Sequence, residues 1–229
     1  MLIVDIVTLH PVSIINYLET SIPGRAQEKG LARLRARGLL DWCDGNHHLA
    51  DGIPYGGGAG MILKPEPFFA AAEELRQPES KVILTDVGGR LLDNDLAKEL
   101  SLESHLIFLC GHYKAVDERV RSLADFEVSL GDVVLSGGEL VALACVDAAV
   151  RLLPGVLSDA AAALSDSFEG EGLLDCPWYT RPAEFHGMKV PEVLRSGDHG
   201  AVERWRRERA LERTRRLRPD LLTDPPPGE

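Results

Sequence analysis

The stretch KVILTDVGGRLLDNDLAKELSLESHLIFLC, residues 81–110, decides the fold. Lys81–Thr85 reads as a short buried strand, Asp93–Leu102 as a helix, and His105–Cys110 as a second apolar strand. Short continuous apolar strands alternating with helices indicate a parallel sheet covered on both faces. Outward from it, Leu2–Thr8 is another buried strand, and His10-Pro11 opens a helix with proline in its first turn. Pro65–Arg76 (PEPFFAAAEELR) is helix-like. Glu139–Leu153 is apolar nearly all round, so its own domain or a partner subunit must cover most of its sides.

Periodicity is lost from Val156 to Gly172, where Ser, Asp, Ala, Glu and Gly dominate, as in a linker or mobile loop. Beyond it Pro177–Pro191 has no clear period, while Ala201–Leu217 sets Val202, Trp205 and Leu211 among arginines at helical spacing. The expected organisation is an α/β domain over 1–157, a linker over 158–172 and a small, mainly helical domain over 173–229, whose proline-rich end frays.

The 229 residues carry a net charge of −11 with 45% hydrophobic residues, a globular composition that excludes disorder and fibrous repeats. The acidic total argues against coating nucleic acid by bulk charge, yet residues 200–218 hold eight arginines against three glutamates. No apolar run approaches the ~18 residues that span a bilayer. No basic segment precedes an apolar stretch at the start. Cys43, Cys110, Cys145 and Cys176 are widely spaced, which suggests neither a zinc ribbon nor a disulfide framework. A reducing cytoplasm is the expected compartment, with no membrane or DNA partner.

Four glycine-bearing loops stand out: residues 55–61 (YGGGAGM), Gly88-Gly89, 110–113 (CGHY) and 129–139 (SLGDVVLSGGE). Glycine serves where backbone approaches a ligand closely or takes positive φ, and ligands of open α/β sheets bind beyond the carboxyl ends of the strands. Any one of these loops is as readily a simple turn; four together wall a small-molecule site. Neither GxxxxGK[ST] nor GxGxxG occurs, which argues against a nucleotide triphosphatase or a dinucleotide fold. Nor is there an HxH or HExxH spacing for a metal.

Several segments resemble those of the bacterial tRNA (guanine-N1)-methyltransferases of the SPOUT class. They are TLHPVSI (8–14), GRAQEKG (24–30), PYGGGAGMILKPEP (54–67), CGHYKAVDERV (110–120), SLGDVVLSGGEL (129–140), RLLPGVL (151–157), SDSFEGEGLLDCPWYTRP (165–182) and GMKVPEVLRSGDH (187–199). The resemblance covers nearly the whole chain. It implies a SPOUT-type α/β fold with a deep trefoil knot, unlike general topology rules, in a homodimer that binds S-adenosylmethionine in the knot. It also implies methyl transfer to N1 of the guanosine 3′ of the tRNA anticodon when another guanosine precedes it.

Carried over by position, the cofactor residues are Thr85, Asp86, Val87, Gly111, Tyr113, Ser129, Leu130, Gly131, Asp132, Val133, Val134, Leu135, Gly137 and Gly138. Apolar side chains between glycines suit an adenine ring. Asp166 in the Asp-Ser-Phe stretch matches the general base that removes the N1 proton, and Arg151 matches the arginine that offsets charge on O6. Without the resemblance, Asp166 reads as a solvated loop aspartate and Arg151 as a cation at a helix C-terminus. His47, Tyr55, Gly56 and Gly57 border the guanine, while Arg181, Lys189 and the last helix's arginines grip tRNA phosphates. If the dimer is as in the family, Asp166 of one subunit completes the site of the other.

The sequence departs from the family where Lys114 replaces a glutamate, Ala115 a glycine, Val87-Gly88 a Pro-Gln pair, Val141 a proline and Gly52 an aspartate. The family's reaction depends on Mg2+, and Lys114 reverses a charge that would help to hold it. Two alternatives stand beside the main reading: a SPOUT enzyme with a shifted RNA target, and a non-catalytic RNA-binding dimer.

Overall fold

The computed structural model describes residues 1–43, 49–157 and 166–222, and the chain divides into two compact units, Met1–Ser158 and Asp159–Glu229. The first begins with strand β1 (Leu2–Thr8), helices α1 (Val12–Leu18) and α2 (Ser21–Glu28), β2 (Ala32–Gly38), and the short β3 (Asp51–Gly52) and β4 (Ile62–Leu63). It continues with α3 (Pro65–Leu75), β5 (Ser80–Leu91), α4 (Asn94–Leu102), β6 (His105–Cys110), the short β7 (Ala115–Val116), β8 (Phe126–Ser129) and α5 (Glu139–Val150). The second unit holds a hairpin of β9 (Glu184–Phe185) and β10 (Met188–Lys189), and the long helix α6 (His199–Leu217).

The central sheet runs β2-β1-β6-β5-β8, with every pair parallel. It is the α/β architecture that the alternating apolar runs imply. Because side chains alternate across a strand, each face carries its own core. Leu2, Val4, Ile6, Leu106 and Phe108 pack with Ile14 and Leu18 of α1, Leu96 and Leu100 of α4, and Val141–Val150 of α5. Val7, Val82, Leu84, Ile107 and Leu109 pack on the other face with Phe68, Ala71 and Leu75 of α3. Covered on both faces, β6 has all six residues buried, which is why HLIFLC reads as an unbroken apolar run. Helix α4 starts where Asp93 accepts a hydrogen bond from Leu96 N at 2.8 Å, an N-cap.

Three elements differ from the sequence reading. Strand β5, expected over 81–85, extends to Leu91: after a register shift between Thr85 and Arg90, Arg90 and Leu91 resume pairing with β8. Gly89 makes this approach possible, since a Cβ there would lie 2.4 Å from Val128 N. Strand β2 (ARLRARG) places Ala32 and Leu34 in the core and Arg33, Arg35 and Arg37 on the opposite face, so charge masks an edge strand. The β9–β10 hairpin turns through His186 and Gly187, both at positive φ, the backbone of a tight two-residue turn.

The arginines of β2 serve a buried carboxylate. Asp5 on β1, fully buried, pairs with Arg35 and receives His105 Nε2 at 3.0 Å, while His105 Nδ1 meets Ser80 Oγ at 2.7 Å. A charge removed from water requires such partners.

Candidate cofactor pocket and active site

The register shift within β5 and the carboxyl ends of β6 and β8 open into one pocket. Its wall is formed by Thr85, Asp86 and Val87 at that shift, residues 111–116 after β6, and Ser129, Leu130 and Val133–Gly138 at and beyond the end of β8, with Val141 from α5. Of the expected cofactor residues, the structure brings together all except Gly131 and Asp132, which stand outside the lining. Gly131 instead shapes the loop at φ +124, donating its N–H to Ser129 Oγ at 3.1 Å. Asp132 is exposed.

Backbone contacts weld the three loops. Gly138 N donates to Gly111 O at 2.9 Å, and Thr85 Oγ1, which donates to Leu109 O, accepts from Gly111 N at 3.4 Å. A Cβ on Gly138 would stand 1.8 Å from Thr85 Oγ1 and 3.2 Å from Cys110 Cα, so no other residue fits. His112 adds a clasp, with Nδ1 2.7 Å from Ser136 O and Nε2 3.3 Å from His10 Nε2. If Nδ1 donates to that carbonyl, the neutral ring's Nε2 is left to accept from His10. Thr8 Oγ1 donates to Glu139 Oε1 at 2.5 Å beside it. Sequence reasoning did not single out His10 or His112; the signal was a histidine inside a glycine loop.

Polar groups at the wall are mostly spent on one another. Asp86 accepts from Gly88 N at 2.9 Å and pairs with Arg121 Nη2 at 3.0 Å. Arg121 also holds Glu127 and Glu118, and its bond to Glu127 raises its already high pKa further. The apolar complement is Val87, Leu130, Val133, Val134 and Leu135. Backbone donors and acceptors flanked by aliphatic walls fit a flat heterocycle with a polar edge.

Other expected site residues lie outside this lining. Tyr55 is fully exposed, on a loop whose Gly56, Gly57 and Gly58 all take positive φ. His47 lies outside the described residues. Arg151 ends α5, its N–H donating to Asp147 O at 3.2 Å. Gly52 lies on β3 facing the Lys64 side chain.

In the second unit, Asp166 is exposed at the head of a turn in which Glu169 N donates to Asp166 O at 3.3 Å. Ser167 Oγ accepts from Asp175 N at 2.9 Å, and Phe168 N donates to Leu173 O at 2.8 Å. Arg181 lines a cleft with Trp178, Tyr179, Arg195 and Arg206, the Arg206 guanidinium lying 4.4 Å above the Trp178 ring. Lys189 is exposed on the hairpin, 3.8 Å from Glu184.

Among the described residues no three of His, Cys, Asp and Glu stand together as a cation site, and Lys114 puts positive charge on the pocket wall. No helix among them is long and apolar enough to cross a membrane.

A parallel α/β sheet with a welded, glycine-lined pocket is the architecture of small-molecule-binding α/β proteins, and here the same chain carries an arginine-rich helix. A family model described as tRNA (Guanine-1)-methyltransferase TrmD matches residues 2–224, and the chain belongs to that family. The chain is 53% identical over 223 residues to the tRNA (guanine-N(1)-)-methyltransferase of Anaeromyxobacter dehalogenans, covering 96% of this chain and 90% of that protein. The protein of the same description from Chlorobaculum tepidum is 50% identical over 222 residues, 96% of each chain. The chain is accordingly an enzyme, a tRNA (guanine-N1)-methyltransferase.

Proposed function

We propose that the β5–β6–β8 pocket binds S-adenosylmethionine and that the enzyme methylates N1 of the guanosine immediately 3′ of the tRNA anticodon when a guanosine precedes it. One observation carries the reading: Gly138, Gly111 and Thr85 pack so closely that the three loops form one fixed cradle with aliphatic walls. When bound there, the cofactor supplies a methyl group made electrophilic by its sulfonium.

The residues divide the remaining work. Thr85, Gly111, Gly137 and Gly138 fix the shape of the cradle that takes the adenine ring, Gly111 and Gly138 through contacts already made between the loops, while Leu130, Val133 and Leu135 enclose its faces. Gly131 shapes their loop through its positive φ and its bond to Ser129. Asp166 takes the proton from guanine N1, because the ring nitrogen attacks only once its lone pair is free. Arg151 offsets the negative charge that spreads to O6 as the proton leaves. Tyr55, Gly56, Gly57 and His47 border the guanine. Arg181, Lys189 and the α6 arginines neutralise tRNA phosphates, which makes binding salt-dependent.

The first unit, read as the domain 1–157, forms the deep trefoil knot of the SPOUT class, and 173–229 is the tRNA-binding domain. The protein acts as a homodimer in which Asp166 of one subunit serves the pocket of the other.

The decisive variant is Asp166→Ala. Single-turnover methyl transfer should fall by about 100-fold or more, with S-adenosylhomocysteine affinity, measured by calorimetry, within two-fold of the parent. An unchanged transfer rate would remove Asp166 from the chemistry.

A further inference from the structure

Lys114 is the one lysine or arginine among the described residues lining the β5–β6–β8 pocket. The other formal charge in the lining is committed, since Asp86 is held by Arg121 and by Gly88 N. The His112 ring is occupied on both nitrogens, and nearby Glu139 accepts from Thr8. The Lys114 ammonium alone has no hydrogen-bond or ion-pair partner among the described residues.

The base of the side chain is fixed. Lys114 N donates to Met61 O at 3.1 Å, and β7 directly after it pairs with β4. The side chain is exposed, its stem lying toward Gly60, and a mobile ammonium on a fixed base beside a pocket can reach an anionic group of a bound ligand.

We propose that Lys114 binds the α-carboxylate of the cofactor's methionyl arm, the one fixed anionic group that S-adenosylmethionine carries. The inference rests on the cofactor reading of this pocket. It makes Lys114 a binding residue, with no part assigned in proton removal.

The test compares two thioethers by calorimetry: S-adenosylhomocysteine, which has the amino-acid arm, and 5′-methylthioadenosine, which lacks it. Lys114→Met should weaken S-adenosylhomocysteine about 10-fold and leave 5′-methylthioadenosine within two-fold. Lys114→Arg should retain most of the affinity, and the wild-type advantage of the longer ligand should shrink as salt rises. A thermal melt of each variant checks folding.

Equal loss for both ligands, or loss for neither, would overturn the assignment. So would a Lys114→Met effect confined to tRNA affinity, which would make the partner a phosphate. Failure of the wild-type enzyme to bind either ligand would refute the cofactor reading itself, a separate result.

Discussion

Gly138 is a residue whose identity the geometry dictates. Its φ of −81 is open to any amino acid, so conformational freedom is not the reason for glycine. The reason is space, because a methyl group there would enter the Thr85 hydroxyl. Gly138→Ala should therefore push Thr85 and the Gly111 loop apart. The expected outcome is at least a 10-fold loss of S-adenosylhomocysteine affinity by calorimetry, with about 1–3 kcal/mol of destabilisation by urea titration. Binding within two-fold of the parent would show that the pocket does not depend on this contact.

At the same scale, the glycines of SLGDVVLSGGE marked the loop in the sequence, because close backbone packing leaves glycine as its trace. The Arg121–Asp86 pair and the His10–His112 contact could not be read as pairings, although a histidine inside a glycine loop marked His112. They join residues 35 and 102 positions apart, and a lone arginine or histidine in sequence does not name its partner.

Among elements, β6 was legible to the residue, since burial on both faces leaves an apolar run after its first residue, His105, whose ring is held by Asp5 and Ser80. Phe108 at its centre is fully buried. Phe108→Ala should cost about 3–5 kcal/mol in urea unfolding, and a loss below 1 kcal/mol would mean that this core repacks freely. Strand β2 was not legible, because alternate arginines break its apolar pattern, and nothing in the spacing shows that Arg35 and Arg37 answer Asp5 on the neighbouring strand. The second half of β5 was hidden by Gly88-Gly89, which reads as a turn but brings two strands together. The β9–β10 hairpin lacked the Asn-Gly signal of a tight turn and has both strands exposed, so no apolar alternation announced it.

For the whole molecule, charge is partitioned by function. Eight arginines against three glutamates over 200–218 stand within a chain of net charge −11, so positive charge is concentrated on α6 and its C-cap, where all eight arginines are exposed or half-buried. Family membership and the α/β sheet were both readable from the chain. The proposed role of Asp166 rests on the family resemblance alone, because as a residue it is an exposed aspartate in a loop turn and nothing in its spacing names a partner.

The most direct test of the account locates the methyl group. Unmodified tRNA transcripts carrying either guanosine or adenosine before the target would be incubated with enzyme and labelled S-adenosylmethionine, digested, and analysed by mass spectrometry. The account predicts one methyl per tRNA, on N1 of the guanosine 3′ of the anticodon, and only in the transcript with the preceding guanosine. A methyl group on another nucleotide, or none despite bound cofactor, would contradict it.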